Sequence, residues 1–279
     1  MVTEEFYTTD AYGNNLYGNC WKPEGEAKVV ITILHGQSDH IGRFEHFAEE
    51  MVQKDIAVMG IDMQGHGRSP GKRGHFRSFQ QLMSNVEVLL REARLRFNDT
   101  PMILYGQSLG GNLAANFALL HQSKELSGLI LSSPFFELAF NPPKLKIVAA
   151  NILEKIMPSL SFDNELDPME LSHNPVIGFK YLEDPLVHRK ISVNAYFISK
   201  KAAEKALESA HLLKYPTLIL HGDEDRLTSH KGSEKFAKSA GKYVDLKIWE
   251  GMRHELHNEN EKEDVVEYIY TWIIKTIGE

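Results

Sequence analysis

The sequence of 279 residues predicts an α/β fold, in which a mostly parallel central sheet is flanked by helices. The run KVVITIL at residues 28–34 is continuously apolar or β-branched after its lysine, which is typical of a strand buried on both faces. Strand-like and helix-like segments alternate after it up to residue 131, and the alternation resumes over residues 217–277. No linker is long or polar enough to separate independent domains, so we expect one structural unit.

The predicted elements follow in chain order from an N-terminal hairpin, whose strands are expected at residues 6–9 and 16–21. Further strands are predicted at residues 28–34, 56–61, 102–105, 126–131, 217–220 and 244–249. Helices are predicted at residues 44–54, 80–97, 112–121, 231–239 and 263–277.

Residues 134–215 interrupt the alternation. This stretch has helical periodicity, proline-bearing joints after Asn141, Asp167 and Asn174, and no convincing strand. An insertion between two strands of an α/β sheet commonly lies where the loops carry function. We therefore expect a helical cap at residues 134–215, inserted into a body formed by residues 1–133 and 216–279.

Composition excludes several classes of function. The formal charge is −7, which argues against a protein that binds the phosphate backbone of nucleic acids. The single cysteine, Cys20, excludes an intramolecular disulfide and a Cys-rich metal site, and we expect it to be buried. His254 and His257 lack the spacing of the zinc-protease helix, so we expect no metal and no cofactor. An acidic first segment and an interrupted apolar stretch at residues 145–157 indicate a cytoplasmic protein.

The strongest motif is GQSLGG at residues 106–111, between a predicted strand and a predicted helix. A G-x-S-x-G sequence in this position predicts a sharp turn that exposes the serine, with small residues where larger side chains would collide. The helix that follows points its amide groups at the site and favours negative charge there. The pattern predicts Ser108 as a nucleophile.

A serine nucleophile needs a base that takes its proton and an acid that orients the base. In this architecture they follow the serine in the order acid, then histidine, at the ends of later strands. For the acid, Asp225 competes with Asp223 and Glu224 in HGDEDR, and for the base, His254 competes with His257 in EGMRHELH. We prefer Asp225 and His254, although the residues alone leave these alternatives open.

The oxyanion hole should combine the backbone amide after the nucleophile, that of Leu109, with an amide from the loop after an earlier strand. The strand at residues 28–34 runs into HGQSDH, which predicts the amide of Gln37 as the second donor. His35 in the same loop is an alternative base, but we interpret it as a structural histidine.

With these motifs, the chain resembles the α/β-hydrolase superfamily, and within it the group of monoacylglycerol lipases and lysophospholipases, also grouped with serine aminopeptidases. The resemblance rests on HGQSDHIGRF at 35–44, GIDMQGHGRS at 60–69, GQSLGG at 106–111, and the segments around Asp225 and His254. It implies that Ser108, Asp225 and His254 form the catalytic triad and that the amides of Gln37 and Leu109 form the oxyanion hole.

The resemblance also implies contacts with a glycerol head group from Asp39, Arg43 and His257. The family usually has glutamate where this chain has Asp39, and often a small residue where it has Gln37. A carboxylate acceptor and a guanidinium donor suit a pair of glycerol hydroxyl groups.

Apolar cap residues are candidates for an acyl channel, because each buried methylene contributes about 0.8 kcal/mol to binding. The candidates are Leu138, Phe140, Ile147, Val148, Ile152, Leu153, Ile156, Met157 and Leu160. Lysines accompany apolar residues over residues 142–161, so transient contact of the cap with a membrane surface is a further hypothesis.

These observations predict a serine hydrolase that cleaves the ester of a single-chain lipid through an acyl-enzyme, with monoacylglycerol as the preferred interpretation. The alternatives are a lysophospholipase or other carboxylesterase, an aminopeptidase or amide hydrolase of the same fold, and an inactive receptor that only binds ligand. An amine-binding site would use the cap acids Asp163, Glu165, Asp167 and Glu170.

Overall fold

The protein was analysed as a computed structural model, which describes residues 1–121 and 126–278. Its central sheet has eight strands in the order β1-β2-β4-β3-β5-β6-β9-β10. The strands are β1 (Val2–Thr9), β2 (Asn15–Lys22), β3 (Val29–Leu34), β4 (Ile56–Ile61), β5 (Met102–Gln107), β6 (Gly128–Ser132), β9 (Thr217–Gly222) and β10 (Val244–Trp249). β2 pairs antiparallel with β1 and β4, and the other neighbours pair in parallel. The predicted mostly parallel sheet is confirmed.

Helices cover both faces of the sheet. α1 (Glu45–Val52) and α8 (Lys262–Ile277) contribute to the core on one face. α2 (Phe79–Phe97), α3 (Leu109–Leu120) and α7 (His230–Ala240) contribute to the core on the other. Every residue of β3, β4, β5, β6 and β9 is buried, as expected for parallel strands between two helical layers. Cys20 on β2 is also buried, as predicted.

The chain between β6 and β9 leaves the sheet and forms the segment that we call the cap, residues 134–215. It contains α4 (Lys144–Ile156), α5 (Pro175–Glu183) and α6 (Val193–Ser209). It also contains a two-stranded antiparallel sheet of β7 (Ser161–Asp163) and β8 (Lys190–Ser192). The prediction that this segment has no strand is therefore wrong, because strands of three residues are too short to show an alternating pattern.

Side-chain amides of α3 connect the cap to the body. Asn112 donates to the carbonyl of Ser199 at 3.0 Å, and Asn116 donates to that of Ala202 at 3.0 Å. No helix in the described ranges 1–121 and 126–278 is both long and apolar enough to cross a membrane.

Candidate active site

Ser108 lies at the sharp turn between β5 and α3. Its φ of +54° is in the left-handed region, which is rare for a residue with a side chain and common at functional sites. A Cβ at Gly106 would lie 2.3 Å from the carbonyl oxygen of Gly110, and one at Gly110 would lie 2.0 Å from that of Leu34. The turn therefore requires glycine on both sides of Ser108, as the motif indicates.

Asp225 and His254 are held together at the carboxyl ends of β9 and β10. His254 Nδ1 lies 2.7 Å from Asp225 Oδ2, and both residues are buried. The amides of Leu227 and Thr228 donate to Asp225 Oδ1 at 2.8 and 3.0 Å, and the Thr228 hydroxyl donates to Oδ2 at 2.8 Å. These donors fix the orientation of the carboxylate. Because Nδ1 of His254 faces this carboxylate, Nε2 of the ring is left for a different partner.

The electrostatics of this pair suit a general base. Burial alone would raise the pKa of the Asp225 carboxyl, but the charge of His254 and hydrogen bonds from His221 and His254 hold it well below its usual range. Burial lowers the pKa of His254, and the charge and hydrogen bond of Asp225 more than offset this effect, so the pKa is raised. An imidazolium formed during proton transfer is thus stabilised.

The competing residues have other partners. Asp223 accepts a hydrogen bond from the amide of Gly251 at 2.8 Å, and Glu224 lies 3.1 Å from His173. His257 is buried, and its ring stacks on Phe44 with the ring centres 4.6 Å apart. Burial lowers the pKa of His257 to about 3. The structure therefore brings Asp225 and His254 together, as preferred from the sequence.

Most of the residues predicted for the triad, the oxyanion hole and the head-group contacts line one cavity of about 550 Å³. Ser108, Leu109, Gln37 and His254 all line it. A Cβ at Gly36 would lie 3.3 Å from Ser108 Cβ, so the loop after β3 lies directly against Ser108. Leu109 is the first residue of α3, where backbone amides have no partner within the helix. Both predicted oxyanion-hole residues thus lie at the cavity beside Ser108.

His35 has a bracing position in that loop. It is fully buried, its Nδ1 lies 2.7 Å from the Gly36 carbonyl, and its Nε2 accepts the Met63 amide at 3.0 Å. These contacts confirm its interpretation as a structural histidine.

A charged cluster forms a polar part of the cavity wall. Arg43 donates to both carboxylate oxygens of Glu255 at 2.7 Å, and its Nη1 lies 3.1 Å from Asp39 Oδ1. The Arg43 guanidinium also lies 4.9 Å from the centre of the Tyr181 ring. Burial would raise the pKa of Glu255, but the charge of Arg43 and its hydrogen bonds lower it. The hydroxyl of Tyr181 is buried and has no hydrogen-bond partner among the described residues.

Sequence reasoning did not identify Glu255 and Tyr181. Glu255 could have been suspected as the residue directly after His254, whereas the sequence of α5 contains no signal that places Tyr181 at the site. His257 was predicted beside the head group, but it is not among the described residues that line the cavity.

The predicted acyl-channel residues are divided between two environments. Leu138 and Phe140 line the cavity, whereas Val148, Leu153 and Leu160 are not among the described residues that line it. Ile147 is half-buried on α4, while Ile152, Ile156 and Met157 are 55%, 70% and 49% exposed, and none of these four is among the described lining residues. Other apolar side chains also line the cavity: Phe135, Leu166, Leu171, Ile191 and Leu227.

A serine at a strained strand-to-helix turn, with an Asp–His pair at the ends of later parallel strands, defines an α/β-hydrolase. The family model described as "Serine aminopeptidase, S33" matches residues 25–261, and the chain belongs to this family. Family membership confirms the resemblance found in the sequence.

Known relatives agree with this assignment. An abhydrolase domain-containing protein of Dictyostelium discoideum is 34% identical over 92% of this chain, which spans only 27% of that protein. The monoglyceride lipase of Homo sapiens is 32% identical over 91% of this chain and 84% of its own length. The crystal structure of the Paleococcus ferrophilus monoacylglycerol lipase has a TM-score of 0.85 and 30% identity, covering 94% of this chain and 99% of that one. The predicted fold is confirmed.

Proposed function

We propose that this chain is a serine hydrolase that cleaves the ester of a single-chain lipid, most directly monoacylglycerol to fatty acid and glycerol. The coarser assignment to the carboxylic ester hydrolases is confirmed by the lipases among its relatives. The finer proposal rests on one observation. Ser108 and His254 line the same cavity, and Nδ1 of His254 is hydrogen-bonded to the Asp225 carboxylate.

The proposed reaction runs through an acyl-enzyme. His254 takes the proton of Ser108 as the hydroxyl attacks the ester carbonyl, while the amides of Gln37 and Leu109 stabilise the oxyanion. His254 then gives the proton to the leaving alcohol. It next activates a water that releases the fatty acid, and Asp225 holds the ring in one tautomer throughout.

The two kinds of cavity wall match the two halves of such a substrate. The apolar lining from Phe135, Leu138 and Phe140 suits an acyl chain, since each buried methylene contributes about 0.8 kcal/mol. The wall formed by Asp39, Arg43 and Tyr181, whose hydroxyl has no hydrogen-bond partner in the described part of the chain, suits the hydroxyl groups of glycerol. For His257 we propose a supporting role, because its ring stacks on Phe44, next to Arg43.

We also propose transient contact of the cap with a membrane surface. No residue of α4 is buried, and Leu145, Val148, Ile152 and Ile156 are exposed on it. A helix that combines exposed apolar residues with lysines binds at lipid interfaces through both burial and charge. This contact would bring the cavity near an insoluble substrate. The cytoplasmic location stays a prediction of the sequence.

The test is the initial rate of hydrolysis of four substrates: a medium-chain monoacylglycerol, a lysophospholipid, a triacylglycerol and an aminoacyl anilide. We expect the monoacylglycerol to be cleaved fastest and Ser108→Ala to lose this activity. Preferential cleavage of the lysophospholipid or the anilide would keep the nucleophile and discard the head-group assignment. Tight ligand binding without any turnover would favour the receptor alternative.

A further inference from the structure

A second cavity, of about 400 Å³, has an unusual concentration of positive charge. It lies between the body and the cap and is lined by Lys72, Arg73, Ser161, Phe162, Asp163, Arg189 and Lys190. We call it the cationic cleft. Four of these seven residues are cationic and only one is acidic, in a chain whose formal charge is −7. The overall composition therefore does not account for the local excess.

Most of this charge is not neutralised by the protein. Arg189 lies 3.2 Å from Asp163, the acid of the cleft. Lys72 donates to the carbonyl of Ser159 and, like Arg73 and Lys190, forms no ion pair within the described part of the chain. Nη1 of Arg73 is buried and lacks a hydrogen-bond partner among the described residues. An unsatisfied charged donor of this kind costs free energy, and the half-buried Arg73 side chain keeps its full positive charge at the wall of the cleft.

The charge of Arg73 also acts on the protein interior. Burial is the main cause that lowers the pKa of His188 to about 4, and the charge of Arg73 lowers it further. A bound anion would compensate this positive field.

We propose that the cationic cleft binds a phosphate group. A phosphate has several strong acceptor oxygens and more than one negative charge, so it can accept bonds from Arg73 and from two ammonium groups together. A carboxylate has fewer acceptor oxygens and a single charge, and so would leave more of these donors unsatisfied. This inference goes beyond the proposed ester hydrolysis and does not depend on it.

The cleft adjoins the candidate active site at two points. Asp163 lines both cavities. The backbone carbonyl of Lys190 accepts a hydrogen bond from the side chain of Gln37 at 3.2 Å, so a residue of the cleft contacts the loop that lies beside Ser108. Lys72 bonds to Ser159, just beyond the exposed helix α4. The phosphate could thus belong to a lipid head group at the surface that α4 contacts, or be free in solution.

The experiment compares two charge-matched double variants. In the first, Arg73→Gln and Lys190→Gln remove two charges of the cleft. In the control, Lys214→Gln and Lys238→Gln remove two exposed charges that do not line the cleft, one at the end of the cap and one on the body. Inorganic phosphate is titrated into each protein by calorimetry. Flotation with vesicles is measured for phosphatidylglycerol and for a phosphate-free glycolipid.

We expect the cleft variant to bind phosphate at least about tenfold more weakly than the control, because charge-assisted hydrogen bonds are lost. Saturable binding of inorganic phosphate identifies free phosphate as a ligand. Binding that appears only with phosphatidylglycerol vesicles, and falls only in the cleft variant, identifies a lipid head group. Equal binding by the two variants in both assays, or no binding by the wild type, overturns the proposal.

The serine variant separates this proposal from the proposed function. Ser108→Ala should bind phosphate as the wild type does, whatever its effect on hydrolysis. Lys190→Gln alone provides a milder change at an exposed side chain if the double variant folds poorly.

Discussion

Nε2 of His221 lies 3.1 Å from Oδ2 of Asp225, the same carboxylate oxygen that contacts His254. His221 is fully buried at the end of β9, and its Nε2 also lies 3.1 Å from the carbonyl of Thr228. Both of these neighbours are acceptors, so Nε2 carries the proton and donates. Nδ1 lies 2.8 Å from the hydroxyl of Ser233, which fixes the ring from its other side. A second histidine therefore helps to hold the acid that orients His254.

We expect His221→Leu to lower kcat by about ten- to a hundredfold, the effect of losing a hydrogen bond to a charged group, and to leave KM nearly unchanged. His221→Gln retains an N–H near the position of Nε2 and should recover most of the loss. Steady-state kinetics, with thermal unfolding of each variant, provides the measurement. If the two variants lost activity in proportion to their stability, a positioning role for His221 would be excluded.

Replacement of Ser108, the proposed nucleophile, should give the largest effect. Ser108→Ala should lower kcat by several orders of magnitude and leave only the residual catalysis of the oxyanion hole. Ser239→Ala, at an exposed position on α7, is the matched control and should keep full activity. Ester hydrolysis and labelling with a fluorophosphonate check both variants. Comparable turnover by Ser108→Ala would remove the serine mechanism.

The two candidate bases can be separated by their opposite environments. His254→Ala should abolish turnover, because of the two candidate bases only His254 contacts Asp225 and lines the cavity with Ser108. His257→Ala should retain turnover and lose about 1–3 kcal/mol of unfolding free energy, because a buried ring stacked on Phe44 is removed. Kinetics and urea unfolding of both variants distinguish these effects. Equal loss of turnover in both would contradict the choice of His254.

How much of the fold and site the sequence predicts depends on how far apart in the chain the interacting residues lie. Ser108, Asp225 and His254 are marked by local turns after strands, and a parallel sheet brings the ends of its strands together without further information. The exposed face of α4 could not be predicted, because an apolar stripe has the same pattern whether it packs on the body or meets solvent. Tyr181 acquires its position beside Arg43 through a contact across the chain, which no local spacing records. Glu255 directly follows His254, and His221 lies four residues before Asp225, so the sequence contained a local signal for both.

Tyr181 allows a specific test of the head-group wall. Tyr181→Phe removes a hydroxyl that has no protein partner among the described residues, so the fold should be unaffected. If that hydroxyl binds glycerol, KM for monoacylglycerol should rise by roughly tenfold, the effect of one lost hydrogen bond of about 1 kcal/mol or slightly more. The methyl ester of the same fatty acid is the control substrate, and its KM should not change. A parallel rise for both esters would place the effect on the acyl side.

Stability should decrease as the pH falls below about 6.5, because several buried histidines are held neutral in the folded protein. The pKa of His257 is lowered by burial to about 3 and that of His188 to about 4, and burial also lowers the pKa values of His35, His46, His66 and His75. A histidine with a lowered folded pKa takes up its proton first in the unfolded chain. Its contribution to stability is complete above the unfolded pKa and is lost as the pH falls toward the folded pKa.

His254 acts in the opposite direction, since its folded pKa is raised, but it is one histidine against several. The fully buried His257 alone should contribute a slope of up to about 1.4 kcal/mol per pH unit below the unfolded pKa. Carboxylates with lowered pKa values, such as Asp225 and Glu255, add their loss only at lower pH, near the usual range of acids. Urea unfolding of the wild type and of His257→Gln between pH 5 and about 7.5 measures the effect. The variant should show a flatter dependence on pH, and identical slopes would show that His257 does not stay neutral in the fold.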